Sequence, residues 1–385
     1  MDNIPYSLPD IGEREQEAVR AALASGWVTT GPACKAFEAE FAAYVGSEVQ
    51  ALAVNSATSG LHLALEALGV GPGDEVIAPS MTFTATIEIA RYLGADPILA
   101  DIDPATLNID PADIARKITP KTKAIVVVHY AGLACDMDPI LALARAHNIR
   151  VVEDAAHAFP TTYNGKLVGS LDSDVTVFSF YANKTMTTGE GGMVVCRNRE
   201  LLERMRIMRL HGISRDAFDR FQSKVPAWHY EIVAPGFKYN MTDVAAAMGR
   251  VQLARIGEFL ERRAQLALRY NDTLGEMSIT LPPQPMQGDT HAWHIYAIRL
   301  QGDGTDLSPR ARFIEQLAEA GIGTSVHYIP LHRQPYWRDR YALVPKEFPQ
   351  SDLAYHNLVS LPLYTLMTDA QQDYVITTIR SLLKD

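Results

Sequence analysis

Nowhere in the 385 residues does an apolar run approach the about 18 residues that a membrane-spanning helix needs, which excludes a helical transmembrane segment. Cysteine is scarce. Cys34, Cys135 and Cys196 stand far apart without the spacing of metal ligands, so neither a disulfide framework nor a structural zinc site is expected. The first residues, MDNIPYSLPDIGERE, lack a basic stretch followed by an apolar one, so no signal peptide is expected. There is no low-complexity tract, no block of like charge and no repeat. Lys and Arg total 35 against 45 Asp and Glu, a net charge of −10, and no global basic field invites nucleic acid. What is present, 47% hydrophobic and 21% charged residues, suits a chain that buries a sizeable core. At roughly 150 residues per domain, the length predicts two domains, or one large domain with an appendage. The expected class is a soluble cytoplasmic enzyme.

The pattern along the chain is an alternation of apolar strands and helices. TSGLHLALEAL carries leucines at helical spacing and stops at Gly69, a natural helix terminator. GDEVIAPS reads as a strand, Thr84 to Leu93 as a helix and PILADID as the next strand. KAIVVVHYAG is a nearly continuous apolar strand, Pro139 to His147 a helix, and IRVVEDAAHA, DVTVFSF and GGMVVC are further strands. Runs that are apolar on both faces and separated by helices predict a mostly parallel, buried sheet. Ligands of such sheets bind at the carboxyl ends of the strands. Beyond about residue 240 the pattern changes. Thr242 to Leu274 reads as one long helix, HIYAIRL as a half-buried strand, Ser308-Pro309 as a helix start, TSVHYI as a short strand and Thr368 as the start of a last helix. The division expected is a large domain over residues 1–240, then a connecting helix and a small α+β domain over 241–385.

Two motifs are set aside. GVGPGD, Gly69 to Asp74, follows a helix and precedes a strand, the reverse of a dinucleotide-binding loop, and reads as a plain turn. His291 and His294 of HAWH suggest metal ligation, but on a strand residues three apart face opposite sides.

Three places hold chemistry instead. Lys184 lies in the loop after DVTVFSF, among small and hydroxylated residues, and the GEGG turn follows it. Asp154 and His157 sit at the carboxyl end of another buried strand, where a carboxylate is costly without a cationic partner. Ser56 to Ser59 open a helix whose free N–H groups and dipole suit a phosphate, although capping by Ser56 or Thr58 alone explains the same residues. With Phe83 as a stacking face, these are the parts that hold pyridoxal phosphate: an anchor for the phosphate, a partner for the ring nitrogen, and an amine.

These residues carry a resemblance. SGWVTTGP, NSATSGLHLAL, GDEVIAPSMTFTAT, VHYAG, EDAAHA, FSFYANKTMTTGEGG, PGFKYNMTD, HAWHIYAIRL and GIGTSVHY follow in order nearly end to end, and the chain resembles the DegT/DnrJ/StrS sugar aminotransferases of the fold type I pyridoxal phosphate enzymes. Within that family HAWH, EDAAHA and PGFKYN look most like the subgroup that makes UDP-linked 4-amino-4-deoxy-arabinose for lipid A of lipopolysaccharide. The resemblance implies a fold of α/β type with a large, mostly parallel sheet domain and a smaller α+β domain. It implies pyridoxal 5′-phosphate as cofactor, glutamate as amino donor with 2-oxoglutarate as product, and a nucleotide-linked keto-sugar aminated at C4 as acceptor.

Residue by residue, the likeness makes Lys184 the covalent attachment point and the acid/base, and Asp154 the partner of the ring nitrogen. Ala57, Thr58 and Ser179 would hold the phosphate, and Phe83 would stack on the ring. Asn240 would reach the phosphate site of a neighbouring subunit, which makes the active unit a homodimer with shared sites. His327 would lie near the substrate. His157 stands where most of the family has Gln, a departure the arabinose subgroup shares, and it would contact the ring. A diphosphate substrate needs a locally basic mouth on an acidic chain, for which Lys238, Arg209, His211 and Arg215 are candidates. Two other readings stay open on the same fold: a keto-sugar dehydratase, whose relatives replace the lysine with histidine, and a non-catalytic regulatory protein, which has no need to keep Lys184 or Asp154.

Overall fold

The computed structural model describes residues 3–214 and 230–383. Its centre is a seven-stranded sheet built from β1 (Gln50–Val54), β2 (Glu75–Pro79), β3 (Asp96–Ala100), β4 (Thr122–Val128), β5 (Arg150–Asp154), β8 (Val175–Ser179) and β9 (Gly192–Cys196), in the order β1-β9-β8-β5-β4-β2-β3. A short ribbon, β6 (Thr162–Tyr163) and β7 (Lys166–Leu167), lies between β5 and β8 in sequence. All pairings are parallel except those of β9, which runs against both β1 and β8. Strand β1, absent from the sequence expectation, closes one edge.

Both faces of the sheet are covered, which is why the strands read as unbroken apolar runs. Ile125, Val127, Val151 and Phe178 face one core with Phe37 and Phe41 of α2 (Pro32–Val45). Val126, Val152 and Val177 face the other with Leu61 and Leu65 of α3 (Ala57–Ala67) and Ile87 of α4 (Ala85–Tyr92). Before these helices comes α1 (Glu13–Ala24), and after them α5 (Pro111–Lys117), α6 (Met137–His147) and α7 (Arg199–Arg209). Together they make the α/β fold with a mostly parallel sheet that the strand runs predict.

The stretch read as one helix from Thr242 to Leu274 is two: α8 (Asp243–Ala254) and α9 (Ile256–Leu274). They part at Arg255, whose guanidinium bonds Glu15 at 2.7 Å and Asp10 at 2.9 Å. That anchor keeps α8 packed on α1 and α2 while α9 runs on into the carboxyl-terminal part. There, β10 (Ile279–Thr280), β11 (Tyr296–Leu300) and β12 (Leu358–Leu361) form an antiparallel sheet. It packs with α9, α10 (Ser308–Glu319) and α13 (Asp369–Leu382), and two further helices, α11 (Pro335–Tyr341) and α12 (Pro349–Asn357), lie between the last two. Thr368 caps α13 as expected, accepting from the Gln371 N–H. Ile4 forms a parallel bridge to Ile322 and joins this second core, so the first residues of the chain fasten to its last third.

Two strand expectations fail. TSVHYI makes a single bridge, Ser325 to Ser360, and then leaves the sheet. HAWH is not strand either, because Trp293 turns the backbone with φ of 47° and β11 starts only at Tyr296.

Beneath the carboxyl edge of the sheet lies a buried polar knot. Glu153 of β5 accepts hydrogen bonds from His129 Nε2 at 2.8 Å, Thr176 Oγ1 at 2.8 Å and Ser173 Oγ. Burial opposes its charge, but these donors hold the carboxyl below its usual range. The Cys135 N–H points at His129 Nδ1, 3.0 Å away, so the imidazole proton sits on Nε2 and goes to Glu153. Removing one partner strands the other. His129→Leu should cost about 3–5 kcal/mol by denaturant unfolding, and His129→Leu with Glu153→Leu should recover part of it. Because the folded pKa of Glu153 is lowered, its contribution is present above its ordinary 4.5 and lost as pH falls, so the gap between native protein and single variant should close in acid.

Candidate active site

The strands β1, β2, β4, β5 and β8 all end at one edge, and a cavity of about 520 Å³ opens there. Ala57, Thr58, Phe83, Asp154, His157, Ser179, Lys184 and His327, all singled out in the sequence, line it. Their positions follow from the chain's course. Asp154 is the last residue of β5, Ser179 the last of β8, and Ala57 and Thr58 are the first turn of α3. Ser56 Oγ caps that helix by accepting the Ser59 N–H at 3.1 Å, and the earlier N–H groups of a helix start have no partner within the helix. Gly192 is required beside them: a Cβ there would meet Ala57 N at 2.8 Å.

Asp154 is buried at the cavity floor. Thr86 Oγ1 donates to Oδ2 at 2.8 Å and the Ala156 N–H to Oδ1 at 3.1 Å. Among the described residues no cation forms an ion pair with it, and burial pushes its carboxyl up. Half-buried Lys184 faces the same space. Burial lowers its amine to about 8, against the opposing charge of Asp154. Burial is also the largest cause holding three histidines neutral, with Lys184 adding to it. His157 lies well below the ordinary imidazole range, His294 likewise, and His327 is near 4.

The His157 ring is pinned between two partners. The Ala131 N–H reaches Nδ1 at 3.3 Å, which puts the ring proton on Nε2, 2.9 Å from the Tyr328 hydroxyl. His327 Nδ1 lies 2.9 Å from Ser360 Oγ, and its ring packs on Tyr6 at 5.4 Å between centroids. Phe83 is 58% exposed at the rim, 6.2 Å from the Tyr328 ring.

Other expected residues do not line this cavity. Asn240 donates to Thr30 Oγ1 at 2.7 Å and lines a separate hollow of about 360 Å³ that shares Glu190 with the first. Lys238 and His211 are exposed outside it, and Arg215 lies outside the described residues. Arg209 is a correction. It is buried, pairs with Glu38 at 2.8 Å and donates to the Ala53 carbonyl at 2.7 Å, so it fastens α7 to α2 and β1 and is not part of a basic mouth.

The sequence reading missed three contributors, Thr86, Tyr328 and His294. Thr86 and Tyr328 each stand beside or within a block already noted, PSMTFTAT and TSVHY. His294 was passed over on the assumption of a strand. With Trp293 turning the chain, its Nε2 lies 3.4 Å from Lys184 Nζ, while His291 stacks on Trp293 at 3.9 Å.

A lysine of weakened basicity and a buried, unpaired carboxylate at the carboxyl edge of a parallel sheet define a cofactor-binding α/β enzyme. Comparison with known proteins specifies which. Residues 9–380 match the DegT/DnrJ/EryC1/StrS aminotransferase family, and the chain belongs to it. It is 44% identical to the spore coat polysaccharide biosynthesis protein SpsC of Bacillus subtilis, over 99% of this chain and 97% of that one. Among solved structures it is similar to Spr1654 of Streptococcus pneumoniae, a candidate sugar aminotransferase, in its PMP form (TM-score 0.92, 35% identity, 99% of each chain). It is also similar to PseC of Helicobacter pylori, an aminotransferase of pseudoaminic acid biosynthesis (TM-score 0.90, 27% identity, 100% of each chain). Aminotransferases of this family depend on pyridoxal phosphate, and Spr1654 has also been solved in a PLP form.

The electrostatics of the cavity give a test that needs no substrate. Acetylation of the cofactor-free protein across a pH series, read by peptide mass spectrometry, should place the half-reactive point of Lys184 near pH 8. Exposed lysines should react only near their ordinary value of about 10.4.

Proposed function

We propose that the protein moves the amino group of glutamate to C4 of a nucleotide-linked keto-sugar, with Lys184 as the lysine that carries the cofactor and shuttles the proton. The observation that supports this best is that an unpaired buried carboxylate and a lysine of lowered basicity share one cavity.

The residues fit pyridoxal phosphate. Asp154 is a buried anion whose oxygens still have acceptor capacity, and a protonated ring nitrogen would satisfy it. The first turn of α3, with Ser179 beside it, would take the phosphate. His157 and Phe83 offer flat faces on the same cavity. The cofactor, when bound, supplies a carbonyl that carries the amino group and a ring that takes up electrons. The protein's part is to hold and move protons. Asp154 keeps one on the ring nitrogen. Lys184 Nζ, neutral for a useful fraction of molecules because burial lowers its basicity, takes the proton from the donor's carbon and returns one to the acceptor's. The neutral ring of His327 gives the sugar a hydrogen-bonding partner that adds no charge. Lys184 also argues against the dehydratase reading, since that chemistry places histidine at this position.

Asn240 opens on the outer hollow, away from its own chain's cavity, which supports its use by a neighbouring subunit and a homodimer with shared sites. Lys238, two residues away, and the exposed His211 are the remaining described candidates for meeting the substrate's diphosphate.

The deciding experiment is glutamate with a panel of UDP- and dTDP-linked keto-sugars, read by product mass and NMR. A 4-amino product is expected, with free keto-sugars poor acceptors. Amination at C3, or efficient turnover without the nucleotide, overturns the substrate assignment. Lys184→Ala should bind the cofactor without borohydride-fixable attachment and lose turnover, and Asp154→Ala should lose roughly 10²-fold or more. A mixture of Lys184→Ala and Asn240→Ala proteins should regain activity after subunit exchange, because one site of each mixed dimer would hold both native residues.

A further inference from the structure

The imidazole of His294 lies behind Lys184, outside the lining of the cavity. Its place is fixed by the backbone: its N–H donates to the Ala131 carbonyl at 3.0 Å, and its ring sits 4.6 Å from that of His157. It is buried, and its Nδ1 has no hydrogen-bond partner among the described residues. The ring therefore has one polar contact, Nε2 to Lys184 Nζ at 3.4 Å, the outer end of hydrogen-bond range. A buried imidazole with an orphaned nitrogen is a poor way to fill space, since an apolar side chain does so without the desolvation cost. The one contact it keeps is the reason for it.

We propose that His294 is the positioning residue of Lys184: whenever the amine is not bound to cofactor, Nε2 of the neutral imidazole accepts a hydrogen bond from Nζ and keeps it aimed at the reacting carbon. This rests on the reading of Lys184 given above.

The charges around the pair explain why the proton stays on the lysine. Lys184 is faced by Asp154 from β5, His157 from the loop after it, His327 from residues 324–328 and His294. His294 is faced by Lys184, His157, His327 and the buried Arg263 of α9, with no carboxylate beside it. Burial and these neighbours keep the imidazole neutral, so it cannot take the proton for itself. When Lys184 Nζ gains a proton from the substrate carbon, the ammonium lies between the field of Asp154 and the Nε2 lone pair. The proton remains on Nζ, available for return.

The test is the pH dependence of cofactor capture. Cofactor-free protein is mixed rapidly with pyridoxal phosphate from pH 6 to 10 and the growth of the visible band is followed, and borohydride reduction with peptide mass spectrometry locates the attached lysine. The native protein should show a rate that breaks near pH 8. In His294→Leu the acceptor is gone, the charged amine loses a hydrogen bond, and the break should move down by about one pH unit with a plateau about ten-fold lower. In His294→Gln the amide oxygen replaces Nε2, and the break should return to within a few tenths of the native value. A merely structural role would lower the plateau without moving the break. Should the leucine variant fail to fold, His294→Asn, whose amide is too short to reach Nζ, gives the same comparison with His294→Gln. An unmoved break in the Leu or Asn variant, or a Gln variant no better than it, overturns the role of His294. Attachment at another lysine in the native protein overturns the reading of Lys184 itself.

Discussion

The cavity floor depends on a carboxylate that never sees it. Glu153 points into the core on the opposite face of β5 from Asp154, and its hydrogen bond to His129 fixes the end of β4. From His129 the chain turns through Tyr130–Gly132, with Ala131 at φ of 58°. That turn fixes three sets of contacts at once. The Ala131 N–H sets the tautomer of His157, the Ala131 carbonyl receives the N–H groups of His294 and Ile295, and the Gly132 carbonyl receives Ala292 and Thr161. A side chain chosen for the core thus places two imidazoles in the site. The period of two in a strand makes this possible: neighbouring residues serve opposite faces, one holding the scaffold and the other the chemistry.

The same burial then acts on Asp154, Lys184, His157 and His327, and the sign of each charge decides the outcome. It raises Asp154, lowers Lys184 and holds the histidines neutral. The result is a site that disfavours its own charges, one that the proposed cofactor would complete with a cationic nitrogen at one end and an anionic phosphate at the other. The polar fabric around it is specific: Thr86 on Asp154, Tyr328 on His157, Ser360 on His327.

Much of this was legible in the sequence, and the failures have physical causes. Val126, Val152 and Val177 alternate with Ile125, Val151 and Phe178 into two separate cores, and the apolar run that results is an unambiguous sign of a doubly covered sheet. Asp154 and Lys184 were legible because one ends a strand and the other follows one, and the start of α3 because Ser56 and Thr58 precede leucines at helical spacing. What a local reading cannot supply is a partner distant in the chain. Arg209 reads as a surface cation, and only Glu38, far earlier in the sequence, explains its burial. Asp10 and Glu15 likewise decide that the helical stretch after Thr242 divides at Arg255. His294 was hidden differently. Trp293 adopts a left-handed conformation usually signalled by Gly or Asn, so an alternating pattern posed as strand.

The fastening of Ile4 to Ile322 and the contact of Tyr6 with His327 also bear on how the molecule is made. Synthesis delivers the amino-terminal part first. The sheet, with Asp154 and Lys184, is complete once β9 and its helices have emerged, while the roof of the cavity still lacks His327 and Tyr328. The first residues meanwhile have nothing to pair with, since their bridge partner is among the last to leave the ribosome. A nascent chain therefore carries an open, half-walled cleft, and closure is a late event of high contact order. His327 and Tyr328, from the last fifth of the chain, thus join Asp154 and Lys184 only after the sheet that carries those two has been made.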